Sequence, residues 1–166
     1  MTLVPLLNEN WGFDSNCFVC EAKNTDGLRI PFHHDDEQDR VVAEFNLGNG
    51  FSGAPSYVHG GISLAILDEA QAWATIAVGG KFAVTAQTQT TFERPVLVGR
   101  DYRVAAVLTS VSDESMRTRA QITFGPENKV CATSTATFTV LAAATAIGVL
   151  GADVTDTPDA TYLRVD

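Results

Sequence analysis

The sequence predicts an α+β domain in which a curved antiparallel sheet wraps one long central helix. Three observations lead there. The apolar stretch 59–78 has helical spacing and stops at Gly79-Gly80, four segments after it are rich in Thr, Val, Ala and Phe, and two shorter strand candidates precede it.

In chain order, residues 1–10 (MTLVPLLNEN) are expected to form a short helix with Pro5 in its first turn, where a missing N–H is tolerated. The turn-like Asn24-Thr25-Asp26-Gly27 leads to strands expected over 28–33 and 40–47, a hairpin around the acidic run Asp35-Asp36-Glu37-Gln38-Asp39. A loop rich in Gly, Ser and Pro, 48–56, delivers the chain to the helix, which Gly79-Gly80 terminates. Strands follow over 82–93, 102–111, 116–124 and 130–141, each bounded by Gly, Pro, Asp or Asn. Polar and apolar residues roughly alternate in TAQTQTTFERP and RTRAQITFG, which suits antiparallel strands with one wet and one covered face. Residues 1–141 then make a single domain. The remainder, 142–166, lies outside this plan as a tail that packs on a neighbour or stays partly disordered.

Composition narrows the function. The chain has 166 residues, 45% of them hydrophobic and 19% charged, which suits one core in an ordinary globular protein. A net charge of -9 excludes nucleic acid as the expected partner, because phosphate binding needs a basic surface, and it disfavours a membrane surface for the same reason. Cys17, Cys20 and Cys131 are too few and too odd in number for a disulfide scaffold, so a reducing compartment is expected. No basic n-region opens the sequence, and the weakly polar run 140–152 falls short of the ~20 residues that cross a bilayer. The expected location is cytoplasmic.

The helix carries the puzzle. Wound at 100° per residue, it puts Ile62, Ala65, Ile66, Ala70, Trp73, Ile76 and Ala77 on one broad arc, with Leu64 and Leu67 adding apolar surface elsewhere. Yet it holds two adjacent carboxylates. Asp68 falls on a mixed strip with Gly61, Leu64, Gln71 and Thr75, whereas Glu69 falls on the apolar arc. Burying an ionised carboxylate without partners costs several kcal/mol, so each needs solvent, an ion pair or a function. His59-Gly60-Gly61 opens the helix, where free N–H groups and the dipole favour negative charge. Gly61 and Asp68 share a face almost two turns apart. Amides that can hold an oxyanion and a carboxylate that can activate water are the parts acyl transfer requires.

HGGISLAILDEA resembles the signature of the PaaI-like branch of the hotdog-fold acyl-CoA thioesterases, in which His-Gly-Gly opens the central helix and an Asp follows nine residues after the His. CFVCEAKNTDGLRIPF resembles the family's Cys-Phe-x-Cys-Gly, Asn-Pro-x-Gly-Leu approach segment, and AVTAQTQTTFERPVLVG resembles its first long strand after the helix. The ordered matches span residues 17–141. The chain departs from the pattern with Glu21 where Gly is usual and Thr25 where Pro is usual.

The resemblance implies a hotdog fold and hydrolysis of an acyl-CoA by Asp68, acting as general base or nucleophile. It implies that Gly60, with Gly61, polarises the thioester carbonyl, that His59 shapes the turn, and that Thr85 helps to orient the attacking water and faces a partner subunit's helix. Relatives also use an Asn or Gln before His-Gly-Gly, a neighbourhood that Ser52 and Gly53 occupy here. Glu69 tunes Asp68 by like-charge repulsion. A homodimer or a dimer of dimers is implied, because helix and strands of different subunits build each cleft. No metal or other cofactor is implied. Arg94 is the candidate contact for the CoA phosphates, with Arg100, Arg117 and Arg119 behind it, and Trp73, Phe82 and Phe92 are candidates to line the acyl tunnel.

Cys17 and Cys20, with His33 further on, invite a zinc reading, but adjacent His33 and His34 point to opposite faces of a strand. Buried thiols are the expectation instead. Trp11 is assigned to core or tunnel. Two rival functions remain: a non-catalytic hotdog protein that binds or senses acyl-CoA, and a hotdog dehydratase, whose paired Asp-His motif is not found.

Overall fold

The computed structural model describes residues 2–11 and 15–150. Strands β1 (Leu3–Leu6), β2 (Phe32–Asp35) and β3 (Arg40–Phe45) are followed by the small pair β4 (Ser52–Ala54) and β5 (Tyr57–Val58). Helix α1 (Gly60–Ala77) comes next, then β6 (Ala83–Phe92), β7 (Tyr102–Val111), β8 (Ser115–Phe124), β9 (Lys129–Val140) and a short α2 (Ala143–Leu150). Seven strands form one antiparallel sheet in the order β1-β2-β3-β7-β8-β9-β6, and α1 packs on its β3, β6, β7, β8 and β9 members. This is the α+β hotdog arrangement. Register shifts at Thr85/Gln87, Leu108/Ser110 and Ile122/Thr123 bend the long strands locally.

The N-terminus corrects one expectation. Residues 3–6 are a strand, not a helix, and a 3-10 turn follows at Asn8–Trp11. Pro5 is tolerated because β1 is an outer strand, whose backbone need not donate on its open side. The hairpin is as expected in kind but shorter, with Phe32 opposite Ala43 and Asp35 opposite Arg40. Residues 28–30 stay outside β2; Leu28 and Ile30 instead donate their N–H groups to Phe18 O and Val19 O at 2.8 and 2.9 Å. Those two bonds pin the Cys17–Cys20 loop to the body of the fold. The last expected strand ends at Val140, and the start of the tail is helical, with Ala146 buried. Residues 151–166 and the side chain of Trp11 lie outside the described residues.

α1 ends in a left-handed cap: Gly80 has φ 69°, its N–H bonds Ile76 O at 3.0 Å, and Lys81 N–H bonds Thr75 O at 3.1 Å. The buried face of α1 is rotated from the expected arc. It runs through Ile66, Leu67, Ala70 and Ala74 and takes in Ser63, Gln71 and Thr75, whereas Ile62, Ala65 and Ile76 are half-buried. Two of these three polar residues find partners for their donors there: Gln71 Nε2 donates to Thr118 Oγ1 at 3.0 Å, while its Oε1 has no partner among the described residues, and Thr75 donates to Ala72 O at 2.8 Å.

Asp35 is fully buried at the hairpin end, accepting from Arg40 Nε at 3.0 Å and from the Gln38 N–H at 3.4 Å. Burial alone would push its carboxyl up, but Arg40 and the neighbouring amides outweigh burial and hold it below the ordinary range. A depressed folded-state value stabilises above the unfolded value near ~3.9 and is lost as pH falls through the folded one. Asp35→Asn is therefore expected to lower Tm by several degrees at neutral pH, with the gap to wild type closing below about pH 4. Thermal melts from pH 7 to pH 3 check this; a constant gap throughout would exclude the ionised carboxylate as its source.

Candidate active site

The loop before α1 is built to present the helix N-terminus. His59 is the N-cap, and its Nδ1 accepts the Gly61 N–H at 2.9 Å. Its carbonyl accepts from Ile62 and Ser63 at 2.9 and 3.2 Å, and its own N–H bonds Phe51 O at 2.9 Å. Gly53 is pressed against this residue, since a Cβ there would lie 2.9 Å from His59 Cδ2 and 3.0 Å from its Cα. Only glycine fits so close to the cap.

These bonds separate the two glycines. Gly61 has its N–H committed to the imidazole, whereas no acceptor among the described residues takes the Gly60 N–H, and Gly60 is exposed. A Cβ at Gly60 would find only Phe92 Cζ, at 3.9 Å. Phe92 and Tyr57, 53% and 47% exposed, leave apolar surface beside this end of the helix.

Asp68 lies further along α1, half-buried at the rim of the sheet, and its Oδ1 accepts from Thr85 Oγ1 of β6 at 2.8 Å. Thr85 thus bonds the carboxylate of its own chain and fixes its direction. The glycines and Asp68 share a face but not a reach. Seven residues at about 1.5 Å each set Gly61 and Asp68 about 10 Å apart along the axis, farther than one carbonyl can span.

Glu69 turns away from Asp68 toward the N-terminal segment, where its Oε1 lies 3.3 Å from Cys17 Sγ. Cys17, Cys20 and Glu69 bring one ligand atom each within 4.8 Å of one another. Burial pushes the Glu69 carboxyl up to about 8, helped by the charge on Cys17. Hydrogen bonding from Cys20 draws the Cys17 thiol down to about 5 against the effect of burial, and that same bond raises Cys20. Cys131 is buried and stands apart from this group. Spacing along the sequence could not have found the cluster, because 52 residues separate Cys17 from Glu69.

Trp73 is packed in the main core at 4% exposure, and its indole N–H has no partner among the described residues. Arg94 is 54% exposed, donates from Nη1 to Val130 O at 2.6 Å and lies 3.9 Å from Glu93. Arg117 and Arg119 point outward from β8, and Arg100 stacks 5.9 Å over the Phe124 ring. A groove of about 530 Å³ along Glu44, Asn46, Asp101, Arg103 and Thr123 includes none of the candidate residues.

Comparison with known proteins agrees with this architecture. The sequence profile of the thioesterase superfamily matches residues 56–131. A solved thioesterase superfamily protein shares 25% identity at a TM-score of 0.70, over 81% of this chain and 66% of that one, so the chain spans just under two thirds of its length. A phenylacetic acid degradation-related protein of Ralstonia eutropha JMP134 has 24% identity and a TM-score of 0.60, over 68% of this chain and 86% of that one. The smu.793 protein of Streptococcus mutans UA159, solved bound to acetyl CoA, has 16% identity and a TM-score of 0.58, over 62% and 82% respectively. No curated protein matches the sequence at a significant level. Among the described residues, no helix is long and apolar enough to cross a membrane.

Proposed function

We propose that this chain, whose residues 56–131 match the thioesterase superfamily and whose fold is the hotdog, hydrolyses an acyl-CoA to the free acid and CoA, with Asp68 activating water. The observation that carries this reading is the pairing of an uncommitted, exposed N–H at Gly60 with a carboxylate whose direction Thr85 fixes. Asp68 takes a proton from water as the oxygen attacks the thioester carbon. The Gly60 N–H receives the negative charge that develops on the carbonyl oxygen, and the helix dipole adds to it. The tetrahedral intermediate then collapses with loss of the CoA thiolate, so no external oxidant or reductant is needed.

Because base and oxyanion donor each need to lie about 3 Å from the reacting group, the two are drawn from different protomers: Asp68 of one and Gly60 of its partner. A homodimer follows from this reading, and two such dimers can associate further. β6 is the edge for it, a ten-residue terminal strand exposed on both faces, and such an edge is a template for another strand. A second β6 would cover Val84 and Phe92, 45% and 53% exposed. The exposed strand faces also answer why TAQTQTTF is not wet on one side only. In this arrangement Arg94, on the loop just after β6, serves the CoA phosphates.

The test is release of free CoA thiol from a panel of short, medium, long and aromatic acyl-CoAs. Turnover of at least one class supports the reading and names the acyl group. Saturable binding without release across the panel replaces it with a non-catalytic acyl-CoA binding or sensing protein.

A further inference from the structure

We propose that Cys17, Cys20 and Glu69 form a binding site for a divalent, thiolate-seeking cation, Zn²⁺ above all, with one coordination position left open. The three ligand atoms already lie within 4.8 Å of one another, and all three side chains are partly buried rather than surface-exposed. Four-coordinate zinc at about 2.3 Å from sulfur and 2.0–2.2 Å from carboxylate oxygen sets its ligands roughly this close. Two thiolates and a carboxylate also suit zinc better than Mg²⁺ or Ca²⁺, which take oxygen ligands.

Three N–H donors reach the two sulfurs. Val19 N–H and Cys20 N–H point at Cys17 Sγ at 3.3 and 3.4 Å, and Asn8 Nδ2 points at Cys20 Sγ at 3.2 Å. Donors of this kind orient ligating thiolates and balance their charge. The loop that carries them is held in place independently, by Leu28 and Ile30 bonding Phe18 and Val19 and by the burial of Val19 in the core. The site is therefore shaped before any ion arrives. Neither histidine takes part: His33 sits in β2 opposite Pro5 and Val42, and the third donor comes from α1.

Binding needs two thiolates and an ionised carboxylate, so the protons still held by these groups, on Cys20 and Glu69 near neutral pH, are released to solvent, and the ion with its three ligands carries a net charge of -1. Glu69 follows Asp68 directly on α1, so the ion ties the N-terminal loop to the helix that bears the catalytic carboxylate. The inference does not depend on the proposed hydrolysis, since its readout is metal binding alone.

The experiment is anaerobic titration of the full, reduced, metal-stripped chain with Co²⁺, followed by displacement with Zn²⁺. A thiolate-to-cobalt charge-transfer band that saturates at one equivalent and is bleached by zinc is expected. Cys17→Ser and Cys20→Ser should abolish it, and Glu69→Gln should weaken zinc by more than ~100-fold, above what loss of a supporting group costs. Cys131→Ser should leave it unchanged. Absence of the band in wild type with all its thiols still titratable overturns the proposal, and so does a band that survives both Cys17→Ser and Cys20→Ser. Circular dichroism of each variant checks folding, and the wild-type titration decides the matter even if a variant fails to fold.

Discussion

Asp68→Asn is expected to lower kcat for the preferred acyl-CoA by at least ~100-fold while leaving KM and Tm close to wild type. General-base catalysis is worth about 10²–10⁴ in rate, and the substitution removes basicity with almost no change of shape. The amide oxygen of Asn can still accept from Thr85 Oγ1, which reaches the present carboxylate at 2.8 Å, so the local packing survives. A loss confined to kcat means an interaction made in the transition state and not in substrate binding. Steady-state CoA release together with a thermal melt reads both halves. Activity within a few-fold of wild type would remove Asp68 from the mechanism, although the fold would stand.

The second large effect separates a shared site from one built within a single chain. Gly60→Pro deletes the oxyanion N–H at the first position of α1, where proline is well tolerated, and His59 already has the extended backbone that precedes a proline, φ −58° and ψ 135°. The nearest atom to an added Cβ is 3.9 Å away, so the helix should stay intact while hydrolysis falls about 10²–10³-fold. Each variant alone is then nearly inactive. In a mixed dimer, however, the Asp68→Asn chain still offers Gly60 and the Gly60→Pro chain still offers Asp68, which restores one of the two sites. Random reassortment of equal amounts should recover about a quarter of wild-type activity, because half of the dimers are mixed and each has one good site. Mixed dimers isolated with two different tags but devoid of activity would show that the groups do not meet across an interface.

Much of this was legible in the amino-acid pattern. α1 announces both of its ends, His59-Gly60-Gly61 at its opening and Gly79-Gly80 at its close, and the observed span Gly60–Ala77 lies within one residue of the expected range. β7 is bounded as expected, and β8 and β9 differ only by a residue at their ends. Such features depend on neighbours a few residues away, through spacing, capping and turn chemistry. Where the first strand replaced a helix, the local signal was overridden: LVPL has no strong preference of its own, and pairing with Phe32–Asp35 decided its conformation.

The sequence by itself determined the helix, the order and kind of the later strands, and the identity of Asp68 and the glycines as candidates. Only the tertiary structure decided which of those groups can act together. It committed Gly61 to His59 and left Gly60 open, set Thr85 on Asp68, and drew Glu69 away to Cys17 across 52 residues. The physical reason is one of range. Backbone propensity and periodicity act over one or two turns, whereas the meeting of a helix carboxylate with a distant thiol or a strand hydroxyl is fixed by sheet register and by which face of α1 the core accepts.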